Sequence, residues 1–199
     1  KGKIIISGLG KSGHIATKIS STFSSIGSPS VFLHPTEANH GDLGMIKKGD
    51  STILISNSGE TSELTNIILH CKKFKIPIIS ITSEKSSTLA KNANIVLVIP
   101  KNVEACPLEL APTSSTTCTL AMGDALAVTL LTKRGFTKSD FHALHPGGKL
   151  GQTLLPVSEI MKTSKSLPII RVGNIVGNAI LEMSSKGFGC VGIVSTDNK

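Results

Sequence analysis

Apolar and polar positions come along this chain in blocks rather than residue by residue. Five short runs rich in β-branched residues recur, at positions 4–7, 30–33, 52–56, 78–82 and 95–99. Each is nearly continuous in apolar character, which is how a strand buried on both faces reads. Between the runs the period lengthens to that of a helix. Leu64, Ile67, Ile68, Cys71 and Phe74 share one face, and Lys72, Lys73 and Lys75 close its last turns, where positive charge suits the helix dipole. A second helix is predicted over about 12–26, stopped by Gly27, and a long one over about 113–133 behind Pro112. Such alternation predicts an α/β fold with a doubly wound five-stranded parallel sheet. Ligands of these sheets bind at the carboxyl ends of the strands, so the pattern locates a site before any motif is considered.

The character changes after 156. Glu159-Ile160-Met161-Lys162 leads into a polar linker, then Leu167-Pro168-Ile169-Ile170, an amphipathic segment (Ile175, Val176, Ala179, Ile180, Met183) and a strand at 190–194. The chain stops in the turn Thr196-Asp197-Asn198-Lys199. Residues 1–156 therefore read as one domain and 157–199 as the opening of a second, incomplete one. The start at Lys1, directly before a strand, reads as a cut from a longer chain.

Composition narrows the partners. The formal net charge of +8 would fit nucleic acid, but the lysines are scattered and no Tyr or Trp offers a stacking surface, so nucleic acid is not expected. No apolar run approaches the roughly 20 residues of a membrane span. Cys71, Cys106, Cys118 and Cys190 have neither disulfide nor zinc-finger spacing. Three of the four lie in apolar surroundings and read as small buried hydrophobes, and a reducing cytoplasm is the expected setting.

The first strand runs into Gly8-Leu9-Gly10-Lys11-Ser12-Gly13, a formal dinucleotide fingerprint. The acidic residue such a site needs at the end of the second strand is missing: that strand ends Leu33-His34-Pro35-Thr36, and Glu37 comes late. Two hydroxyl clusters suit a phosphate monoester better. Ser56, Asn57, Ser58 and Thr61 follow the third strand, and Thr113, Ser114, Ser115 and Thr116 open the long helix. Hydroxyls and free N–H groups at a helix start bind phosphate, although Ser and Thr there also serve as ordinary caps.

With these pieces in place a resemblance is visible. Gly10-Lys11-Ser12-Gly13-His14, Ser56-Asn57-Ser58-Gly59-Glu60-Thr61, Glu104-Ala105-Cys106-Pro107-Leu108, the helix start at 111–117 and His145-Pro146-Gly147-Gly148 resemble the sugar isomerase (SIS) domain of the arabinose-5-phosphate isomerase family. The likeness runs from Lys1 to about Met161, and the tail resembles the beginning of a CBS domain. The resemblance implies strand order 2-1-3-4-5, a homotetramer, and interconversion of D-ribulose 5-phosphate and D-arabinose 5-phosphate for the Kdo sugar of lipopolysaccharide. It implies catalytic roles for Lys11, Glu63, Glu104 and His145, and substrate contacts from Ser12, His34 and His40. His34 is also a candidate zinc ligand, the metal being inhibitory rather than required.

The implied chemistry agrees with the residues. Moving a carbonyl between C1 and C2 needs no redox cofactor, only a base and a group that stabilises the enediolate. Hydroxyls would hold the distal phosphate while carboxylates serve the other end of the sugar. Glu104, in a loop over the strand ends, and Glu63, one turn past the phosphate loop, are the candidate bases. Glu60 reads as favourable charge at a helix N-terminus. His145 and His40 are the candidates for opening the furanose ring of the aldose, and an imidazole suits that step near neutral pH. A phosphosugar sensor without turnover would need neither Glu104 nor His145.

Overall fold

The computed structural model describes residues 2–101, 103–146 and 156–195, in two compact units, Lys1–Gln152 and Thr153–Lys199. Gly147 and Gly148 of the His-Pro-Gly-Gly stretch, the residues just before the expected boundary at 156 and the closing turn at 196–199 lie outside the described residues.

In the first unit the strands are β1 (Ile4–Gly8), β2 (Ser30–Phe32), β3 (Ser51–Ile55), β4 (Ile78–Thr82) and β5 (Ile95–Val98). They form one parallel sheet in the order β2-β1-β3-β4-β5. Successive side chains of a strand face opposite sides, and the two layers of core show it. Ile5 and Leu54 pack with Leu64, Ile67 and Cys71, whereas Ile6, Ile53 and Ile55 pack with Ala16, Ile19, Phe23 and Ala127. Each fully buried Ile or Leu contributes about 1.5–3 kcal/mol. The outer strand β5 departs from the pattern. Ile95 is 53% exposed because this edge strand has no cover on that side.

Helix α1 (Lys11–Ser25) and helix α5 (Ser114–Arg134) pack together on the second of these layers. α2 (Pro35–Ala38), α3 (Thr65–Lys73) and α4 (Thr88–Asn92) bring residues to the first, and α6 (Lys138–Leu144) follows α5. Two glycines set close approaches. A Cβ on Gly13 would lie 2.7 Å from the Gly8 carbonyl, so this glycine lets α1 start directly over β1. A Cβ on Gly123 would lie 2.3 Å from Ile19 Cδ1, where α5 rests on α1. The expected apolar face of α3 holds for Leu64, Ile67, Ile68 and Cys71 but not for Phe74. The helix ends at Lys73, and Phe74 leaves the helical path at the cap, 51% exposed. Of the cysteines only Cys71 is buried; Cys106 and Cys118 are half-buried and Cys190 is exposed.

In the second unit β6 (Ile169–Arg171) pairs in parallel with β7 (Gly192–Val194). The helix Val176–Lys186 lies between them in sequence, and a short helix, Val157–Ile160, precedes them. The amphipathic pattern is thus a helix, with Ile175, Val176 and Ile180 exposed.

Candidate active site

The carboxyl ends of β1, β3 and β5 converge on a cavity of about 330 Å³ whose lining includes Lys11, Ser12, Asn57, Glu104, Glu109, Ser115 and Thr116. A neighbouring hollow of about 410 Å³ shares Asn57, Glu104 and Glu109 and adds Ser58, Ser83, Glu84 and Lys101. Lys101 and Glu84 pair at 3.5 Å across its rim.

Lys11 and Ser12 open α1 behind Gly10, which has φ +59°. No side chain caps this N-terminus and no acidic residue occupies its first turn. Its free N–H groups therefore remain available to an anion.

The loop after β3 is tied down from several sides. Ser56, buried, shares a 2.8 Å hydrogen bond with the Thr61 hydroxyl, and its oxygen accepts the Gly59 N–H at 3.0 Å. Asn57's carbonyl accepts the hydroxyls of Thr82 and Ser83. Gly59, at φ +70°, lies so close to Ser87 that its carbonyl receives the Leu89 N–H at 3.0 Å. Glu60 Oε1 accepts the Thr88 N–H at 2.7 Å, capping α4 as a favourable charge at a helix start, and these bonds from Thr88 hold its carboxyl below the usual range. The sequence leads one to expect α3 to open here. Instead a 3-10 turn, Ser62–Leu64, intervenes and α3 begins only at Thr65. Of this loop's polar residues, Asn57 and Ser58 are the exposed ones facing the hollows.

The start of α5 differs most from expectation. The position assigned to a phosphate holds the carboxylate of Glu104. Its Oε2 accepts the Thr113 N–H at 2.7 Å, the Thr113 hydroxyl at 3.1 Å and the Ser115 N–H at 3.2 Å. Hydrogen bonds from Ser115, then from Thr113, hold this carboxyl down to about 2. The Thr113 hydroxyl also accepts the Ala105 N–H at 2.8 Å, tying the loop to the helix. Thr116 donates its hydroxyl to the Thr113 carbonyl at 2.9 Å. Ser115 and Thr116 line the cavity; Ser114 does not.

The remaining candidates stand apart. Glu63 accepts the Ser62 hydroxyl at 2.9 Å and lines neither hollow. His145 caps α6, with Nδ1 2.8 Å from the Phe141 carbonyl and its ring stacked on Phe141 at 3.8 Å. His34 Nδ1 accepts the Thr36 N–H at 3.3 Å, so it is engaged as the cap of α2, and His40 is exposed in the following turn. Among the described residues no three His, Cys, Asp or Glu side chains come together as metal ligands, so His34 has no such company here. Sequence reasoning missed Glu109, which lines both hollows from a left-handed conformation at φ +55°. Only that backbone geometry singles it out.

Comparison with known proteins agrees with this arrangement. Residues 1–129 match the SIS domain family. The chain is 50% identical over 199 residues to arabinose 5-phosphate isomerase KdsD of Escherichia coli K12, covering all of this chain and 60% of that protein. It is 46% identical over 200 residues to KdsD of Pseudomonas aeruginosa, covering 61% of it. The chain thus spans about three fifths of the length of the curated relatives it matches. Among solved structures, an E. coli CFT073 protein in complex with arabinose 5-phosphate superimposes with a TM-score of 0.71 at 47% identity, over 73% of this chain and 78% of that one. A putative phosphosugar isomerase involved in capsule formation, from Bacteroides fragilis, gives 0.72 at 42% identity, over 74% and 78%. With the sheet order and these matches in agreement, the chain belongs to the SIS domain family.

Proposed function

We propose that this chain is the catalytic part of an aldose–ketose isomerase interconverting D-ribulose 5-phosphate and D-arabinose 5-phosphate through an enediolate. The observation that carries the reading is the single cavity in which Lys11, Ser12, Asn57 and Glu104 meet at the strand ends. The named relatives and the neighbour bound to arabinose 5-phosphate support the choice of sugar.

The phosphate sits on the uncapped start of α1 and against Ser12, Asn57 and Ser58, which puts its charge on free donors. Lys11 beside it stabilises the enediolate oxygen or the phosphate. Glu104 shuttles the proton between C1 and C2. It is the carboxylate among the two candidate bases that lines the cavity, whereas Glu63 does not. Opening of the aldose ring falls to His145 or His40, neither of which lines the cavity in one chain. A homotetramer is the assembly that fits the exposed apolar residues Leu69, Phe74 and Val128. Residues 157–199 begin a CBS-type domain, zinc at His34 acts as an inhibitor, and the product serves Kdo synthesis in the cytoplasm.

The test is incubation of the protein with ribulose 5-phosphate and no cofactor, followed by proton NMR. Growth of an aldose anomeric signal is expected. Saturable binding of arabinose 5-phosphate with no conversion would overturn catalysis in favour of a sensor.

A further inference from the structure

We propose that Thr113 is a positioning residue, which grips Oε2 of Glu104 through its N–H and its hydroxyl and so fixes the plane in which the carboxylate meets the substrate. The inference rests on the reading of Glu104 as the base and assigns Thr113 a different task from binding phosphate.

Three hydrogen bonds fall on Oε2 of this carboxylate, two of them from Thr113 at 2.7 and 3.1 Å. The Ser115 hydroxyl adds a bond to the same carboxyl. A carboxylate held in this way keeps its plane, and a fixed plane is what proton transfer between adjacent carbons requires. The same Thr113 hydroxyl accepts the Ala105 N–H at 2.8 Å. One hydroxyl therefore sets both the carboxylate and the backbone that carries it. A hydroxyl already accepting from Ala105 and donating to Glu104 has no proton left for a phosphate.

These bonds also stabilise the ionised form and hold the carboxyl down to about 2. The other charged groups that face it are Lys11 on α1, Glu109 in its own loop, and Glu84 and Lys101 across the second hollow.

The test uses Thr113→Val, Thr113→Ser and Glu104→Gln in the whole protein, each checked for native thermal unfolding. Thr113→Val should lower kcat by about tenfold to a hundredfold with KM little changed, the usual effect of losing a hydrogen bond to a charged group that acts at the chemical step. Thr113→Ser should restore kcat. Carbon-13 NMR of the Glu104 carboxyl reads its placement without turnover: the signal should match in the parent and in Thr113→Ser and shift or broaden in Thr113→Val, while the bonds from Ser115 and the backbone N–H at 113 keep the titration low in all three. Raised KM with unchanged kcat, or a Glu104 carboxyl signal that Thr113→Val leaves unchanged, overturns the positioning role. If Glu104→Gln keeps full turnover, the reading of Glu104 as base fails instead, and the two failures are told apart.

Discussion

Replacing Gly59 by alanine should damage the loop after β3 in a way that a second substitution repairs. The new Cβ would lie 2.0 Å from Ser87 Oγ, 2.3 Å from Ser87 Cβ and 3.1 Å from Thr82 Oγ1. Both neighbours are buried, so neither can swing into water. Three contributions add. Holding alanine at φ +70° costs about 1 kcal/mol. Moving Ser87 removes the cap it provides to the Ala90 N–H, about another 1 kcal/mol. Forcing an extra carbon into a filled space costs about 1–3 kcal/mol. The total of about 3–5 kcal/mol is a large part of the roughly 5–15 kcal/mol that holds a typical domain together. Ser87→Gly deletes both atoms nearest the new Cβ and, glycine being a tolerable cap, should cost only a few tenths of a kcal/mol alone. In the double variant about 1 kcal/mol of backbone strain and the milder approach to Thr82 remain. Urea unfolding of the four proteins should thus give a favourable coupling of about 2 kcal/mol or more. If the two changes add to within about 0.5 kcal/mol, the steric account of Gly59 is wrong.

Two further outcomes follow from buried and half-buried groups. Asp50 receives the N–H groups of Lys3 and Lys47 and the Lys3 ammonium, at 2.9, 2.9 and 3.2 Å. Burial pushes its carboxyl up, but those donors outweigh it and the net shift is downward. The folded state therefore binds this proton less readily than the unfolded chain. Its stabilisation is present above the ordinary carboxylate range and disappears as pH falls through the lowered value. Asp50→Asn should cost about 1–3 kcal/mol at neutral pH and flatten the loss of stability on acidification, as measured by denaturant titrations at several pH values. In a limited alkylation at neutral pH, Cys106 should react well before Cys71. Backbone N–H groups from Ala111, then Leu108 and Leu110, lower the Cys106 thiol, whereas burial raises that of Cys71. Peptide mass spectrometry showing Cys71 modified first would contradict this.

The strands were legible to within about a residue because parallel strands carry their own signature, an unbroken β-branched run. Of the three main helices of the first unit, α3 was legible from its apolar spacing, and α1 and α5 from the strand–helix alternation and their end signals, Gly27 and Pro112. What escaped were relations between distant positions. Small and polar residues alternate with apolar ones around α5, so periodicity alone does not show which face is buried. The buried face is a stripe of small residues four apart, Ser115, Thr119, Gly123 and Ala127, with Gly123 against Ile19 of α1, and that spacing is the signal to look for. The partner of the α5 N-terminus was equally hidden. No acidic residue lies in its first turn, and the compensating carboxylate, Glu104, comes from nine residues before Thr113. Serines and threonines at a helix start advertise an anion site without saying whether the protein fills it itself. His34 and His145 look like ligands in sequence, yet each imidazole bonds backbone within four residues of its own position, which only coordinates reveal.

The glycine contact between α5 and α1 works as a gauge for spacing at the far end of the helix. The carboxyl end of α5 is pinned: Arg134 donates to Ser28 Oγ at 2.8 Å, and the Phe136 ring fills the space a Gly27 side chain would need. From Arg134 to Gly123 the helix runs about 16 Å, and from Arg134 to Ser114 about 30 Å. A spacer of ~1 Å inserted at Gly123 thus swings the amino end outward by about 2 Å. That end carries Thr113 and Ser115, the donors to Glu104, while Lys11 stays behind on α1. Misplacements of ~1 Å in reacting groups lower rates by about a hundredfold. One missing side chain, about 13 Å along the helix from its start, thereby calibrates the gap between ammonium and carboxylate.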